Sequence, residues 1–190
     1  MQSMLRPAIL AVIGASGAGK TTAVRCLEAR RRSGIRCFYF DSIGVPSEEV
    51  MKRDFGGGEA WQAATTKRWI SQLATKPVGS ISILEGQTRP TFIRSALPDS
   101  QLAIVRIVLI ECATSVRRTR LAERGQAELA TIQMDIWAGY LRGQAEALQL
   151  PVIDTTSMSP EAVADMLEVE AETLRAEARS AAQSAAEAGR

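Results

Sequence analysis

The sequence predicts one α/β domain in which a parallel β-sheet carries helices on both faces. Short apolar runs of strand length alternate with longer amphipathic stretches, which is the pattern of a parallel sheet with connecting helices. A glycine-rich segment follows the first apolar run and leads directly into a helical stretch. With 190 residues, of which 46% are hydrophobic, the chain can bury a core without disulfides or a structural metal.

Five apolar runs bounded by turn-forming residues are predicted as strands. They cover residues 8–13, 36–40, 80–84, 102–110 and 151–153. The fourth run contains Arg106 and is only about half as long as a membrane-spanning helix. The apolar N-terminal stretch runs into the glycine-rich segment without a cleavage pattern. We therefore predict a cytoplasmic protein without a membrane segment.

The amphipathic stretches between these runs are predicted as helices. The first covers residues 20–32 and is closed by Ser33 and Gly34 at a C-cap position. Pro46 and Ser47 can begin a short helix, and three consecutive glycines at 56–58 then break the chain. Further helices are predicted over residues 59–75, from Pro90, over residues 114–124 and 128–148, and from Pro160.

The C-terminal end of the chain differs in composition from the rest. From residue 176 onward it is alanine-rich and polar, with almost no large apolar side chain. Such a segment buries little apolar surface, so a frayed helix or a disordered tail is expected. The predicted organisation is one domain over residues 1–175 and a tail over residues 176–190.

Charge and composition exclude several classes of function. The 23 basic and 21 acidic residues leave a net charge of +2, too balanced for a general nucleic-acid or membrane-surface binder. The chain has no histidine, which excludes imidazole chemistry. Its three cysteines, Cys26, Cys37 and Cys112, are too widely spaced to suggest a disulfide framework or a zinc site.

The glycine-rich segment matches the phosphate-loop pattern GxxxxGK(S/T) and lies between a predicted strand and a predicted helix. Glycines let the backbone curl so that N–H groups point at phosphate oxygens, and the helix dipole favours the same anion. Lys20 is expected to reach the β- and γ-phosphates, and the Thr21 hydroxyl to bind Mg²⁺. The alternative is a glycine-rich turn without a chemical role. The predicted nucleotide-binding residues are Gly14, Ala15, Ser16, Gly17, Ala18, Gly19, Lys20, Thr21 and Thr22.

Acidic residues follow the second and third predicted strands. In an open parallel sheet ligands collect beyond the carboxyl ends of the strands, so Asp41 and Glu85 are expected to face the phosphate loop. Asp41 can orient an acceptor hydroxyl and accept its proton, or it can simply shape the turn. Glu85 can orient Mg²⁺ directly, through water or by contacting the acceptor, or it can be a solvated carboxylate.

Arginines follow the fourth strand in a row. Arg117, Arg120 and Arg124 fall at i, i+3 and i+7, so they share one helix face. Such a face suits a lid that closes over the phosphates, excludes water and stabilises developing charge. The alternative is a solvated face paired with nearby glutamates. Arg89, close after Glu85, is predicted to line the acceptor site.

These features together resemble the small P-loop kinases, a group that includes shikimate, gluconate, adenylyl-sulfate and nucleoside or nucleotide kinases. The segment from Phe40 to Ser47 also resembles bacterial kinase-like proteins of no assigned substrate. The resemblance implies a three-layer fold with five parallel strands in the order 2-3-1-4-5 and an arginine-bearing lid. It also implies that the loop after the fifth strand, with Thr155, contacts the nucleotide base.

The main functional hypothesis is transfer of the γ-phosphoryl group of Mg-ATP to a small hydroxyl or phosphate acceptor. Catalytic roles are assigned to Lys20, Asp41, Arg117, Arg120 and Arg124, acceptor binding to Asp41, Glu85 and Arg89, and metal binding to Thr21 and Glu85. The expected cofactors are ATP and Mg²⁺, without nucleic-acid or membrane partners, in a possible homodimer. A rival hypothesis is a nucleotide-binding ATPase or regulatory protein without a small-molecule acceptor, and a third is phosphorylation of a macromolecule.

Overall fold

The central element of the fold is a five-stranded, all-parallel sheet in the order β2-β3-β1-β4-β5, which confirms the predicted architecture. The computed structural model describes residues 6–77, 79–97 and 103–188. The strands are β1 (Ala8–Ile13), β2 (Ile35–Tyr39), β3 (Ile81–Gly86), β4 (Ile104–Glu111) and β5 (Val152–Asp154).

Helices cover both faces of this sheet. They are α1 (Lys20–Ala29), α2 (Glu48–Phe55), α3 (Gly58–Leu73), α4 (Pro90–Ser95), α5 (Thr114–Glu123), α6 (Ile132–Ala147) and α7 (Pro160–Ala188). Two short 3-10 turns, Phe40–Ile43 and Ala127–Leu129, follow β2 and precede α6. None of the helices in the described part of the chain combines the length and apolar character that crossing a bilayer needs.

Strand β1 is buried on both faces, which explains its continuous apolar sequence. Side chains alternate between the faces of a strand, so β1 contributes to two separate hydrophobic clusters. Ala8, Leu10 and Val12 pack in one cluster with residues of α1 and α7. The alternate residues of β1 pack in a second cluster with residues of α3, α4 and α6. The two clusters hold β1 and the phosphate loop after it at the centre of the molecule.

Several predicted boundaries are shifted, in each case for a local reason. Helix α1 ends at Ala29 rather than at residue 32, because Arg31 takes a left-handed backbone conformation with φ 50°. Strand β2 ends at Tyr39, because Phe40 begins the 3-10 turn. Helix α6 begins at Ile132 rather than at residue 128, because the Thr131 hydroxyl caps it by accepting from the Met134 N–H at 3.1 Å. Of the predicted fourth strand, residue 102 lies outside the described residues.

Strand β3 runs further than predicted and therefore includes Glu85 and Gly86. The sequence predicted that these two residues begin a loop, because a charged residue rarely lies inside a buried strand. Glu85 nevertheless pairs in register with Val12 of β1 and with Tyr39 of β2. The parallel register thus places the carboxylate beside the end of β1, next to the phosphate loop.

The last helix continues well beyond residue 176, up to Ala188. Ala171, Leu174 and Ala178 recur at i, i+3 and i+7 and are buried against the sheet. On the neighbouring strand, Arg106 of β4 pairs with Glu170 at 2.5 Å and with Glu177 at 2.9 Å. These contacts account for the charged residue within β4. Where the domain ends remains a prediction.

Gly86 has no room for a larger side chain, because a Cβ at this position would lie 2.3 Å from the Phe40 Cβ. Phe40 is buried and directly precedes Asp41. We expect Gly86→Ala to lower the free energy of unfolding by about 1–3 kcal/mol through overpacking. Thermal unfolding measures the loss, at about 2–4 °C per kcal/mol for a chain of this size.

The matched control for this prediction is Gly139→Ala on α6, where the added Cβ meets no described atom within 4 Å apart from its chain neighbours and the adjacent backbone of its own helix. This change is expected to raise stability by about 0.5–1 kcal/mol, because alanine is the better helix residue. If Gly86→Ala unfolds at the wild-type temperature, the close contact of Gly86 with Phe40 does not constrain the fold.

Candidate functional site

The glycine-rich segment forms a tight loop between β1 and α1. The Ala18 N–H donates to the Ala15 carbonyl at 3.2 Å, which curls the backbone before the helix begins at Lys20. Gly17 has φ 80°, and a Cβ there would lie 2.7 Å from the Arg117 Cγ. A side chain at this position is therefore excluded both by conformation and by space. The loop opens toward the carboxyl end of the sheet, where anionic ligands collect in folds of this kind.

Lys20 is buried, with only 7% of its surface exposed. Its Nζ donates to the Ala15 carbonyl at 2.9 Å and lies 3.9 Å from the Glu85 Oε1. Burial lowers the pKa of Lys20, whereas the carboxylates of Glu85 and Asp41 act in the opposite direction. A buried ammonium with so few partners is well placed to compensate the charge of a polyphosphate in the loop.

Thr21 and Glu85 place two oxygens side by side. The Thr21 hydroxyl donates to the Glu85 Oε1 at 3.1 Å. Burial raises the pKa of Glu85, and the nearby Lys20 ammonium and the Thr21 hydroxyl partly offset this effect. A hydroxyl and a carboxylate oxygen at this separation beside the loop fit the oxygen ligands that Mg²⁺ prefers when it also binds phosphates.

A cavity of about 270 Å³ joins this group to the end of β2. Asp41 lies exposed at its edge, in the 3-10 turn after β2. Among the described residues, the Asp41 carboxylate has no hydrogen bond or ion pair, so it is available to a ligand. The residues lining this cavity, called here the acceptor cavity, are Ser16, Gly17, Gly19, Lys20, Thr21, Asp41, Glu85, Gln87, Arg124, Gln126 and Leu129.

Sequence reasoning missed three residues of the acceptor cavity: Gln87, Gln126 and Leu129. Gln87 accepts a hydrogen bond from the Ser16 hydroxyl at 3.0 Å and so connects the end of β3 to the phosphate loop. Its position two residues after Glu85 could have indicated that Gln87 lies near the site. Gln126 and Leu129 belong to the 3-10 region before α6; Leu129 fell within the helix predicted over residues 128–148, and Gln126 fell between two predicted helices. No signal in the sequence marked them.

The three arginines predicted to form a lid, Arg117, Arg120 and Arg124, do not all line the same cavity. Arg124 lines the acceptor cavity. Arg117, predicted to belong to a lid, is 3% exposed and forms an ion pair with Asp135 of α6. It packs behind the phosphate loop against Gly17 because this side of α5 faces the protein interior. The structure thus corrects its predicted position over the phosphates, and the lid itself remains a prediction.

Arg120 connects α5 to the loop after β5. It donates to the Thr155 hydroxyl at 2.8 Å and to the Thr155 carbonyl at 2.7 Å. The Thr155 hydroxyl in turn donates to the Ala18 carbonyl of the phosphate loop at 2.8 Å. A second cavity of about 270 Å³ opens here, lined by Gly17, Gly19, Thr22, Arg120, Glu123, Arg124, Thr155, Met158, Pro160 and Val163. Its position on the other side of the loop suits the nucleoside part of a nucleotide, and it is called here the nucleoside cavity.

Arg89 lies outside the acceptor cavity, contrary to its predicted position. It donates to the Gln62 Oε1 at 2.7 Å and to the Glu59 Oε2 at 3.0 Å, and it stacks over the Trp137 ring at 4.9 Å. The chain is turned away after β3, because the Gln62 side chain donates to the Gln87 carbonyl at 2.9 Å. Arg89 directly precedes α4, and its positive charge is compensated by the Glu59 carboxylate.

Comparison with solved structures finds the same fold in proteins that are kinases. No protein-family model matches the chain, and no curated protein matches it. A gluconokinase from Sinorhizobium meliloti 1021 has a TM-score of 0.56 at 17% identity, covering 90% of this chain and 97% of its own. A shikimate kinase from Acinetobacter baumannii, in complex with shikimate, has a TM-score of 0.56 at 16% identity, covering 85% and 90%.

A deoxyadenosine kinase from M. mycoides with bound dATP is similar as well, with a TM-score of 0.54 at 14% identity. The match covers 85% of this chain and 97% of that one. At identities this low, the structural similarity establishes the fold, and the activity has to be tested separately. The chain has the fold of the small P-loop kinases.

Proposed function

We propose that this protein transfers the γ-phosphoryl group of Mg-ATP to a hydroxyl or phosphate group of a small-molecule acceptor. One observation carries the proposal: Lys20, Thr21 and Glu85 converge in one cavity, and the exposed carboxylate of Asp41 lies at its edge. Phosphoryl transfer requires mainly positioning and charge compensation, and this cavity combines groups suited to both.

The roles of the residues follow from their positions. Lys20 and Arg124 compensate the charge of the phosphates, and Arg120 and Thr155 support the wall of the nucleoside cavity. Asp41 orients an acceptor hydroxyl and accepts its proton as the new O–P bond forms and ADP leaves. Thr21 and Glu85 would hold Mg²⁺, which supplies charge neutralisation across the β- and γ-phosphates.

A screen of acceptors tests this function directly. ADP formation from Mg-ATP is measured against a library of small alcohols and phosphate compounds, and the product of each positive reaction is identified by mass spectrometry. The proposal expects at least one acceptor to raise turnover well above basal hydrolysis. Stabilisation by Mg-ATP without any acceptor-dependent turnover would instead favour the nucleotide-binding regulator.

The proposed metal site makes a separate prediction. Thr21→Ala removes the hydroxyl that lies 3.1 Å from the Glu85 carboxylate. We expect the Mg²⁺ concentration for half-maximal activity to rise by at least about tenfold, because a metal ligand and its orientation are lost. The measurement is a Mg²⁺ titration at saturating ATP.

Thr119→Ala on the exposed side of α5 is the matched control and is expected to titrate like the wild type. An unchanged Mg²⁺ dependence in the Thr21 variant would contradict this hydroxyl as a metal ligand. Removal of Mg²⁺ with a chelator should stop turnover in both proteins.

A further inference from the structure

The charges around the acceptor cavity are unevenly distributed. Its cationic lining residues are Lys20 and Arg124, and its anionic ones are Asp41 and Glu85. Both cations border the phosphate loop: Lys20 belongs to it, and Arg124 also lines the nucleoside cavity on the other side of the loop. Once a polyphosphate is bound, both are engaged with its oxygens. The part of the cavity that faces the acceptor then presents the Asp41 carboxylate and the amides of Gln87 and Gln126.

Other cations near this part of the molecule have partners elsewhere. Arg89 is bound by Gln62 and Glu59 and lies over three aromatic rings, Phe92, Trp137 and Tyr140. Arg25 lies over the Tyr39 ring at 5.8 Å, and Arg53 pairs with Asp54 at 2.6 Å. In the described part of the chain none of these guanidiniums lines the acceptor cavity. An acidic acceptor would therefore find no free cation there.

We infer that the acceptor is an alcohol that carries no negative charge, either neutral or cationic. Proteins recognise carboxylates and phosphates with arginine or lysine, usually through bidentate contacts that amides cannot supply. An anionic acceptor would instead meet the γ-phosphate and the Asp41 carboxylate at close range and would be repelled by both. Amides and carboxylates, in contrast, are suitable partners for hydroxyl and ammonium groups. The inference rests on the proposed kinase function and narrows its acceptor to one charge class.

The test uses acceptors in matched pairs that differ in one charged group. The full-length protein is assayed with Mg-ATP and sorbitol or gluconate, glycerol or glycerate, and ethanolamine or glycolate, within a wider library grouped by charge. The highest kcat/KM is expected for an acceptor without negative charge, at least tenfold above its acidic counterpart. That ratio corresponds to about 1.4 kcal/mol.

The variant Gln87→Arg supplies the missing cation within the cavity. We expect the variant to raise, by at least tenfold, the kcat/KM for an acidic acceptor relative to the kcat/KM for its neutral counterpart. Gln72→Arg, at an exposed position on α3, is the matched control and should leave the ratio unchanged. Thermal unfolding establishes that both variants are folded.

The outcomes separate this inference from the proposed function. An acidic acceptor that equals or exceeds its neutral counterpart overturns the inference and leaves the kinase activity standing. A folded Gln87→Arg variant with an unchanged ratio also overturns it. If no acceptor of any charge raises turnover, the proposed function fails, and the inference fails with it.

Discussion

Lys20→Met is expected to reduce kcat/KM by roughly 100- to 1000-fold, the loss typical of removing one donor that stabilises transition-state charge. Methionine keeps the volume of the lysine stem and removes the buried ammonium, which lies 3.9 Å from Glu85. Burial already raises the pKa of Glu85, and this carboxyl can take up a proton when its cationic partner is gone. The fold should therefore tolerate the change.

Binding of Mg-ATP provides a second measurement of the same change. A ligand at 100 times its Kd stabilises the wild type by about 2.7 kcal/mol, and this shift in Tm should largely disappear in the variant. Lys67→Met, at an exposed position on α3, is the matched control and should bind normally. If calorimetry gives equal affinities for Lys20→Met and the wild type, the assignment of residues 14–21 as the phosphate site is wrong.

Asp41→Asn is expected to lower kcat by about 100- to 10,000-fold, the usual range for loss of a general base. The change removes the charge and the proton-accepting capacity of the side chain while preserving its shape. Asp41 is exposed, and within the described residues its carboxylate makes no hydrogen bond, so the free energy of unfolding should change little. The Kd for Mg-ATP should also stay close to that of the wild type.

A matched substitution separates catalysis from general charge effects. Asp54→Asn on α2 removes an exposed carboxylate that pairs with Arg53, and it should retain wild-type kcat. The two variants are compared at saturating ATP and acceptor. A kcat for Asp41→Asn within about threefold of the wild type would rule out Asp41 as the base, since a general base typically contributes about 100-fold or more.

The strands and the loop were predictable because each has a strong local cause. Residues 8–13 are apolar throughout since both faces of β1 are buried, and a run of that length before a glycine-rich loop admits few other folds. Boundaries were less predictable where one contact decides them. The Thr131 cap begins α6, and the left-handed Arg31 ends α1; neither contact follows from hydrophobic periodicity.

Periodicity and motif spacing are local properties of the chain, and they were sufficient to predict the parallel sheet, the phosphate loop, and the location of Asp41 and Glu85 at the carboxyl ends of adjacent strands. Which side chains share a cavity depends instead on how the helices pack against the sheet. Helical spacing placed Arg117, Arg120 and Arg124 on one face, but packing buries Arg117 against Asp135 and leaves Arg124 beside the phosphate loop. The burial of each arginine depends on contacts between residues that are far apart in the chain, and a local sequence pattern does not contain this information.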